Sequence, residues 1–180
     1  MRLRPADPGD VPAIQSIYAH HVLTGLGTFE EVPPTEVEMA QRCAAVLDRG
    51  LPWLVAEDGE VLGYAYAGPF RTRAAYRFTV EDSVYVAEAA RAKGVGRALL
   101  AAIIGRCEAM GLRQMVGVIG DSGNAASIGL HRALGFELKA IVPAVGWKFG
   151  CWVDVVWMQR ALGPGASAPP DADGIGGMSR

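Results

Sequence analysis

The chain has 180 residues, of which 51% are hydrophobic and 20% are charged, and its formal net charge at pH 7 is −2. These proportions are typical of a single globular domain, and they exclude a largely disordered chain. They also disfavour general nucleic-acid binding, which needs a positive surface to displace counterions from phosphates, whereas the basic residues here form no long stripe. A small anionic ligand held by a few local groups remains compatible with this composition.

Cysteine and histidine spacing gives no sign of a disulfide framework or a metal centre. The chain has three cysteines, Cys43, Cys107 and Cys151, which is an odd number, and none of them is in a CxxC motif. His20 and His21 are adjacent and would face different directions on a helix, so we predict no metal site. The sequence has neither a secretory signal pattern nor an apolar run of about 18 residues, so we expect a cytoplasmic protein that does not bind membranes.

Apolar spacing and turn residues predict the elements in chain order. Asp10 precedes a helical pattern as an N-cap, Thr35-x-x-Glu38 has the form of a capping box, and Asp58-Gly59 is a strong hairpin signal. The predicted elements are a strand at 2–5, a helix at 11–23, a loop at 24–34, a helix from 35 to about 49, a hairpin at 52–69, a strand at 77–87, a helix at about 97–110, a strand at 113–119, a helix at 124–134, and strands at 136–146 and 151–162.

This order, β-α-α-β-β-β-α-β-α-β-β, predicts an α/β (α+β) fold. The hairpin signals require antiparallel strands, whereas the strand–helix–strand at 77–119 requires a parallel crossover. We therefore expect a central mixed, mostly antiparallel sheet flanked by helices on both faces, formed by residues 1–162. Residues 163–180 carry almost no large apolar side chain and predict a disordered tail.

The loop RAKGVGR (91–97) combines glycines and basic residues directly before a helix. Gly94 and Gly96 lack a Cβ, so the backbone N–H groups can approach a ligand closely. The unpaired N–H groups of the helix start, with Arg91, Lys93 and Arg97, would form a cradle for phosphate oxygens. A plain β–α turn with a solvated basic rim fits the spacing about equally well. Neither the P-loop pattern nor the Rossmann fingerprint is present.

Residues 91–97 resemble the acetyl-CoA loop, Arg/Gln-x-x-Gly-x-Gly/Ala, of the GNAT acetyltransferase superfamily. They follow VYV (84–86) and precede NAASIGLHRALGF (124–136), which looks like the second cofactor-side helix of that superfamily. Further motifs are similar to the phosphinothricin, methionine sulfoximine and methionine sulfone N-acetyltransferases: PWLVAE (52–57), YAGP (66–69), TVEDSVYV (79–86), VIG (118–120), SIGLH (127–131) and GWKFGCWVDVVWMQ (146–159). The resemblance covers about residues 2–162.

The resemblance implies a GNAT fold, a homodimer, and transfer of acetyl from acetyl-CoA to the α-amino group of a small amino-acid analogue, without a metal. The cofactor-binding residues it implies are Val84, Tyr85, Val86, Arg91, Ala92, Lys93, Gly94, Val95, Gly96, Arg97, Asn124 and Ser127. The substrate-binding residues it implies are Phe29, Arg71, Thr72, Arg73, Glu81, Asp82 and Ser83.

Two residues are candidates for the proton chemistry. The resemblance makes Glu81 the general base that removes a proton from the acceptor ammonium. His131 stands where many GNAT enzymes carry a tyrosine that protonates the leaving thiolate, and a neutral imidazole could donate to an oxyanion or accept the amine proton. Strand alternation places Asp82 on the face opposite Glu81. The alternatives are a surface ion pair for Glu81 and a structural role for His131.

Other assignments also have alternatives at this point. Arg71 and Arg73 could bind the oxygens of an amino-acid analogue or belong to a solvated loop. Asn124 fits an N-cap as well as a ligand contact. Cys107 lies on an apolar helical arc, and no cysteine shows an electropositive context, so we favour direct transfer over an acyl-enzyme. A GNAT enzyme acting on another amine (a peptide N-terminus or a polyamine) and a non-catalytic acyl-CoA sensor are the alternative functions.

Overall fold

The computed structural model describes residues 1–176, whose strands and helices follow the predicted order. The strands are β1 (Arg2–Pro5), β2 (Trp53–Glu57), β3 (Val61–Pro69), β4 (Thr79–Val86), β5 (Gln114–Gly120), β6 (Glu137–Lys148) and β7 (Cys151–Ala161). The α-helices are α1 (Val11–Thr24), α2 (Glu36–Leu47), α3 (Val95–Ala109) and α4 (Ala125–Ala133). Helix α3 begins two residues before the predicted position.

All seven of these strands form one sheet in the order β1-β2-β3-β4-β5-β7-β6. β4 and β5, which flank the crossover helix α3, pair in parallel, and every other neighbouring pair among these strands is antiparallel. The prediction of a mixed, mostly antiparallel sheet is confirmed. The β2–β3 hairpin turns at Gly59, whose φ of 78° lies in the left-handed region that glycine adopts without strain.

Helices cover both faces of the sheet, as predicted. On β4, the ring of Tyr85 meets Tyr18 of α1 edge to face, with 4.9 Å between ring centroids. Gly96 of α3 instead faces Val84 and Val86. Since successive side chains of a strand point to opposite faces, α1 and α3 pack on opposite sides of β4.

Local capping explains where α2 begins but not where α1 begins. The capping box predicted at α2 is confirmed: the Glu38 N–H donates to Thr35 Oγ1 at 3.2 Å, and the Thr35 N–H donates to Glu38 Oε2 at 2.7 Å. Such a cap stabilises a helix by about 1 kcal/mol. The Asp10 side chain, predicted to cap α1, makes no capping hydrogen bond to that helix. It accepts instead two hydrogen bonds from Arg4, at 2.6 and 2.7 Å.

The chain beyond β7 returns to the sheet. The buried side chain of Ile175 joins the apolar core, and its N–H donates to the Arg77 carbonyl at 2.8 Å. Arg113 donates to the Pro169 carbonyl at 2.7 Å. The domain boundary at residue 162 and the disorder of residues 163–180 stay predictions, and residues 177–180 lie outside the described part of the chain.

Within residues 1–176, no helix is long and apolar enough to cross a bilayer. No three His, Cys, Asp or Glu side chains of these residues are grouped as metal ligands would be.

Candidate active site

β4 and β5 separate partway along their length. Their parallel pairing runs from Thr79↔Gln114 to Asp82↔Gly117 and stops there, although β4 continues to Val86 and β5 to Gly120. Beyond this fork, the β5-facing backbone groups of β4 have no partner in β5. Unpaired strand edges of this kind bind extended ligands that supply alternating donors and acceptors.

A cleft of about 860 Å³ opens at the fork. It is lined by residues 81–86 of β4, the loop and helix start at 90–97, the first turns of α4, and residues 25–29 of the loop after α1. The lining contains Phe29, Glu81, Asp82, Ser83, Val84, Tyr85, Val86, Arg91, Ala92, Gly94, Val95, Gly96, Arg97, Asn124, Ser127 and His131. Four residues predicted for the site are not part of it: Arg71, Thr72, Arg73 and Lys93.

The start of α3 has the features of an anion cradle. Gly94 is in the left-handed conformation at φ 80° directly before the helix, and a Cβ there would meet no atom within 4 Å, so this backbone lies open. A Cβ on Gly96 would lie 3.4 Å from Leu130 of α4, which keeps the two helices close. Arg91 and Arg97 line the same end of the cleft and add positive charge to the helix N-terminus. These residues fit a diphosphate.

Asn124 caps the second helix of the cleft. Its side-chain oxygen accepts a hydrogen bond from the Ser127 N–H at 3.1 Å, which is the N-cap arrangement. Both residues also line the cleft, so capping leaves them in reach of a ligand.

Glu81 and Asp82 lie on opposite faces of β4. The β3–β4 register runs without a shift from Gly63↔Val86 to Pro69↔Val80, so no bulge disturbs the alternation. Burial raises the pKa of the Glu81 carboxyl, the charge of Asp82 adds to this effect, and the positive charge of Arg71 opposes it. A carboxylate of raised pKa in a cleft is a stronger base than an exposed one.

Asp82 forms a buried pair with His131, and the side chains are 2% and 5% exposed. His131 Nε2 lies 3.0 Å from Asp82 Oδ2, and its Nδ1 lies 2.8 Å from the Ser127 carbonyl oxygen. Burial alone would lower the pKa of His131, but the hydrogen bond to Asp82, its charge and the Ser127 carbonyl together raise the pKa. Since both ring nitrogens face acceptors, the geometry favours an imidazolium that donates to both.

The ring of His131 sits at the point where β4 and β5 part. A Cβ on Gly117 would lie 2.8 Å from His131 Cδ2, so only glycine at this β5 position admits the ring. A neutral imidazole, the form predicted for catalysis, would leave one of the two acceptors without a hydrogen. The catalytic role of His131 stays a prediction.

The cysteines have the environments of structural residues. Cys107 is fully buried in α3, and burial raises the pKa of its thiol to about 12. Burial also raises the pKa of the Cys43 thiol. Cys151 is exposed beside the β6–β7 turn and is not part of the cleft lining. High thiol pKa values disfavour nucleophilic attack, because the thiolate is the reactive form.

The basic loop after β3 lies beside the cleft. The guanidinium of Arg71 stacks over the ring of Phe70, 4.3 Å from its centroid, and lies 5.7 Å from that of Trp157. The positive charge of Arg71 counteracts the rise in the pKa of Glu81.

Sequence reasoning missed part of the cleft wall. Residues 25–28 line it, and a Cβ on Gly120 would overlap the Leu26 carbonyl, so this loop packs directly on the end of β5. His21 also lines it, with Nε2 3.0 Å from the Val86 carbonyl oxygen. The two glycines of GLG at 25–27 are the sequence signal that could have indicated a closely packed loop at the site. The other residues of the cleft lining that were not predicted are Ala90, Val118, Ile119, Asp121, Ala126 and Leu130.

Comparison with known proteins identifies the family. Residues 14–136 match the model of the acetyltransferase (GNAT) family. This chain belongs to the GNAT acetyltransferase family. It is 58% identical over 163 residues to phosphinothricin N-acetyltransferase of Alcaligenes faecalis, an alignment that covers 90% of this chain and 83% of that protein.

Two further acetyltransferases are similar to this chain, one in sequence and one in both sequence and structure. The L-methionine sulfoximine/L-methionine sulfone acetyltransferase of Pseudomonas aeruginosa is 48% identical over 172 residues, which covers 93% of this chain and 98% of that one. The crystal structure of a phosphinothricin acetyltransferase from Sinorhizobium meliloti in complex with acetyl-CoA superposes with a TM-score of 0.93, at 48% identity, over 99% of this chain and 96% of that one. The predictions of the GNAT fold and of an N-acetyltransferase are confirmed.

Proposed function

We propose that this GNAT enzyme transfers acetyl from acetyl-CoA to the α-amino group of a small amino-acid analogue such as phosphinothricin, methionine sulfoximine or methionine sulfone. One observation carries the proposal: the unpaired edge of β4 and the half-buried carboxyl of Glu81 line the same cleft. The relatives named for these acceptors support the choice of substrate. Acetylation of such analogues would confer resistance to them.

The residues along the cleft fit acetyl-CoA as cosubstrate. The β5-facing backbone groups of Val84 and the N–H of Val86 would pair with the amides of the pantetheine arm, and Tyr85, whose backbone pairs with β3, would line the arm between them. The N–H groups of residues 92–97, with Arg91 and Arg97, would hold the diphosphate, and Lys93 would add charge at the rim. Asn124 and Ser127 would contact the arm from α4. Bound in this way, the cosubstrate supplies an activated acetyl thioester.

Glu81 acts as the general base of this mechanism. It removes one proton from the acceptor ammonium, directly or through one water, and the free amine attacks the thioester carbonyl. The new C–N bond replaces the C–S bond, the attacking nitrogen gives up its second proton to the leaving coenzyme A thiolate, directly or through water, and Glu81 returns the first proton to solvent. Positioned proton transfer accelerates such a step about 10²–10⁴-fold, and holding both reactants together supplies up to about 7–11 kcal/mol. No cysteine takes part.

His131 and Asp82 act as a pair in the cleft, at the point where β4 and β5 part. The cationic ring would stabilise negative charge on the carbonyl oxygen, and Asp82 would hold the ring in place. A proton could pass from the ring to the leaving thiolate only if His131 gave up one of its two acceptors.

The acceptor would be held on the Glu81 side of β4. Arg71 and Arg73 would bind its carboxylate and its tetrahedral oxygen group, with Thr72 and Ser83 as hydroxyl partners. Phe29 would close the pocket from the loop after α1.

The test measures release of coenzyme A by the purified protein from acetyl-CoA plus each of the three analogues. We expect turnover, and a fall of about 10²-fold or more in Glu81→Gln with unchanged coenzyme A affinity. Glu60→Gln, on the exposed β2–β3 turn, is the control. Absence of turnover across the three analogues would refute the acceptor assignment. Turnover of a polyamine or a peptide N-terminus instead would support the alternative enzyme, and coenzyme A binding without any turnover would support a sensor.

We also propose a homodimer. Seven large apolar side chains of the β6–β7 hairpin are 41–64% exposed: Leu138, Ile141, Val142, Val145, Trp147, Phe149 and Trp152. β6 is an edge strand with 12 residues, and an apolar edge of this length in a stable protein is normally covered.

A further inference from the structure

Lys148 is a buried charged residue that the mechanism above does not use. It ends β6 and is 1% exposed. Its Nζ donates hydrogen bonds to the carbonyls of Gly25 and Thr28, both at 2.8 Å. Among the described residues, no carboxylate lies within ion-pair distance of this ammonium. A buried lysine without an ion pair is rare, because removing its charge from water costs free energy that only good hydrogen bonds offset.

Both carbonyls that Lys148 holds belong to one wall of the cleft. The loop at 25–29 lines the cleft with all five of its residues. Gly25 and Thr28 lie 120 or more positions before Lys148 in the sequence, so these hydrogen bonds join the N-terminal loop to the C-terminal hairpin. The Thr28 side chain is held separately, by the Tyr18 hydroxyl at 2.9 Å.

Two glycines show how closely this loop is seated. A Cβ on Gly120 would overlap the Leu26 carbonyl, and a Cβ on Gly146 would overlap the ring of Phe29. Gly146 lies two residues before Lys148 on β6. The same strand therefore makes room for the Phe29 ring and holds the backbone that carries it.

We propose that Lys148 is a positioning residue for the acceptor side of the cleft. Its ammonium ties the Gly25 and Thr28 carbonyls to the end of β6, and this fixes the loop at 25–29, with Phe29, as a wall of the pocket. The assignment of this wall to the acceptor rests on the proposed function. Without Lys148, two buried carbonyls lose their donors, and the loop gains freedom to leave its seat.

Binding of coenzyme A should not depend on the hydrogen bonds between Lys148 and the loop at 25–29. The start of α3 and the edge of β4 are held by the sheet and by helix packing, and neither of the two hydrogen bonds of Lys148 goes to them. Loss of the ammonium should therefore change how the acceptor is held and leave coenzyme A binding as it is. A residue that merely stabilised the whole molecule would affect both.

The experiment compares Lys148→Met, which keeps the chain length and removes the donors, with Lys139→Met, an exposed lysine on the same strand. Three quantities are measured: amide hydrogen exchange of residues 24–31, coenzyme A affinity, and KM for the acceptor. For Lys148→Met we expect faster exchange confined to this loop, a Kd for coenzyme A within about twofold of the original, and a rise of about tenfold or more in acceptor KM. Lys139→Met should change none of the three.

Unchanged exchange in the loop would overturn the proposal, as would equal losses of coenzyme A and acceptor binding. If Lys148→Met does not fold, Lys148→Gln, which keeps one donor group, should show the same effects at smaller size. Failure of both variants to fold would also overturn it, because Lys148 would then serve the stability of the whole molecule. If the unaltered protein turns over none of the analogues, the proposed function fails, while hydrogen exchange and coenzyme A affinity still decide whether Lys148 holds the loop.

Discussion

Glu81 and Asp82 are neighbours in the chain, yet their carboxylates have different surroundings. Glu81 faces the cleft beside Arg71 with a pKa raised by burial. Asp82 points to the opposite face and binds the raised-pKa ring of His131. Alternation along one strand thus separates a carboxylate suited to proton transfer from one suited to holding a charged ring.

The raised pKa of Glu81 has consequences for activity and stability. The Glu81 carboxylate takes up a proton at a higher pH than an ordinary glutamate does. If Glu81 is the proposed general base, kcat/KM should therefore begin to fall at a higher pH than it would with an ordinary glutamate. Because the folded-state pKa is raised, the charged form destabilises the fold at neutral pH. Glu81→Gln should therefore melt at a higher temperature at pH 7, and the difference should shrink as the pH falls through the folded pKa and vanish below the unfolded pKa. A variant that melts lower at pH 7 would contradict this sign.

The pair of Asp82 and His131 predicts a second pH effect. The raised folded pKa of His131 contributes stability below the unfolded pKa, and this contribution is lost as the pH rises through the folded pKa. In Asp82→Asn, burial should dominate and lower the pKa of His131 below about 6.5. Titration of the His131 ring by NMR measures this, with Glu88→Gln as a control that should leave the ring unaffected. An unchanged pKa in Asp82→Asn would contradict the ion pair.

At the scale of elements, the cleft depends on the fork between β4 and β5 and on the start of α3. The strands part where His131 occupies the space that Gly117 leaves. The helix start then presents its N–H groups to the same opening, behind a left-handed Gly94. A strand edge and a helix terminus thus present unpaired backbone groups to one cleft.

Two glycines of this region should respond to alanine in opposite ways. Gly94→Ala places a Cβ in open space but forces a left-handed conformation, which costs about 1–2 kcal/mol, so we expect lower stability and weaker coenzyme A binding. Gly105→Ala, in the interior of α3 with no atom within 4 Å of the new Cβ, should raise stability by about 0.5–1 kcal/mol. Thermal melts and coenzyme A titration measure both. Equal responses would show that backbone conformation at position 94 is unimportant.

At the scale of the whole molecule, the β6–β7 hairpin has two roles. At its buried end, Lys148 donates hydrogen bonds to the loop at 25–29 that lines the cleft. Its outer face is apolar, and the rings of Trp147 and Trp152 lie there with 5.3 Å between their centroids. A partner covering this face would lie next to the strand that carries Gly146 and Lys148.

Disruption of the outer face tests the proposed dimer. Trp152 is 64% exposed, and Trp152→Glu should convert the dimer to a monomer in sedimentation experiments while coenzyme A binding persists. Val37→Glu, at an equally exposed apolar residue on α2, is the matched control and should remain dimeric. An unaltered protein that sediments as a monomer at micromolar concentration would refute the assembly.

The sequence by itself determined the order of elements, the mixed sheet, the α2 capping box and the glycine loop before α3. Each follows from interactions within a few residues: hydrophobic period, cap residues and turn residues. The resemblance of its motifs also indicated the family, which the comparisons confirmed.

Only the tertiary structure decided which distant groups meet. Asp10 was predicted as a helix cap but binds Arg4, because the fold places the guanidinium of this β1 residue within hydrogen-bond distance of both carboxylate oxygens. Asp82 and His131 are 49 positions apart, and Lys148 is 123 positions from Gly25. No local pattern encodes such pairs, since they depend on how the strands and helices stack. The ion pair, the fork and the held loop therefore exist only once the sheet has assembled.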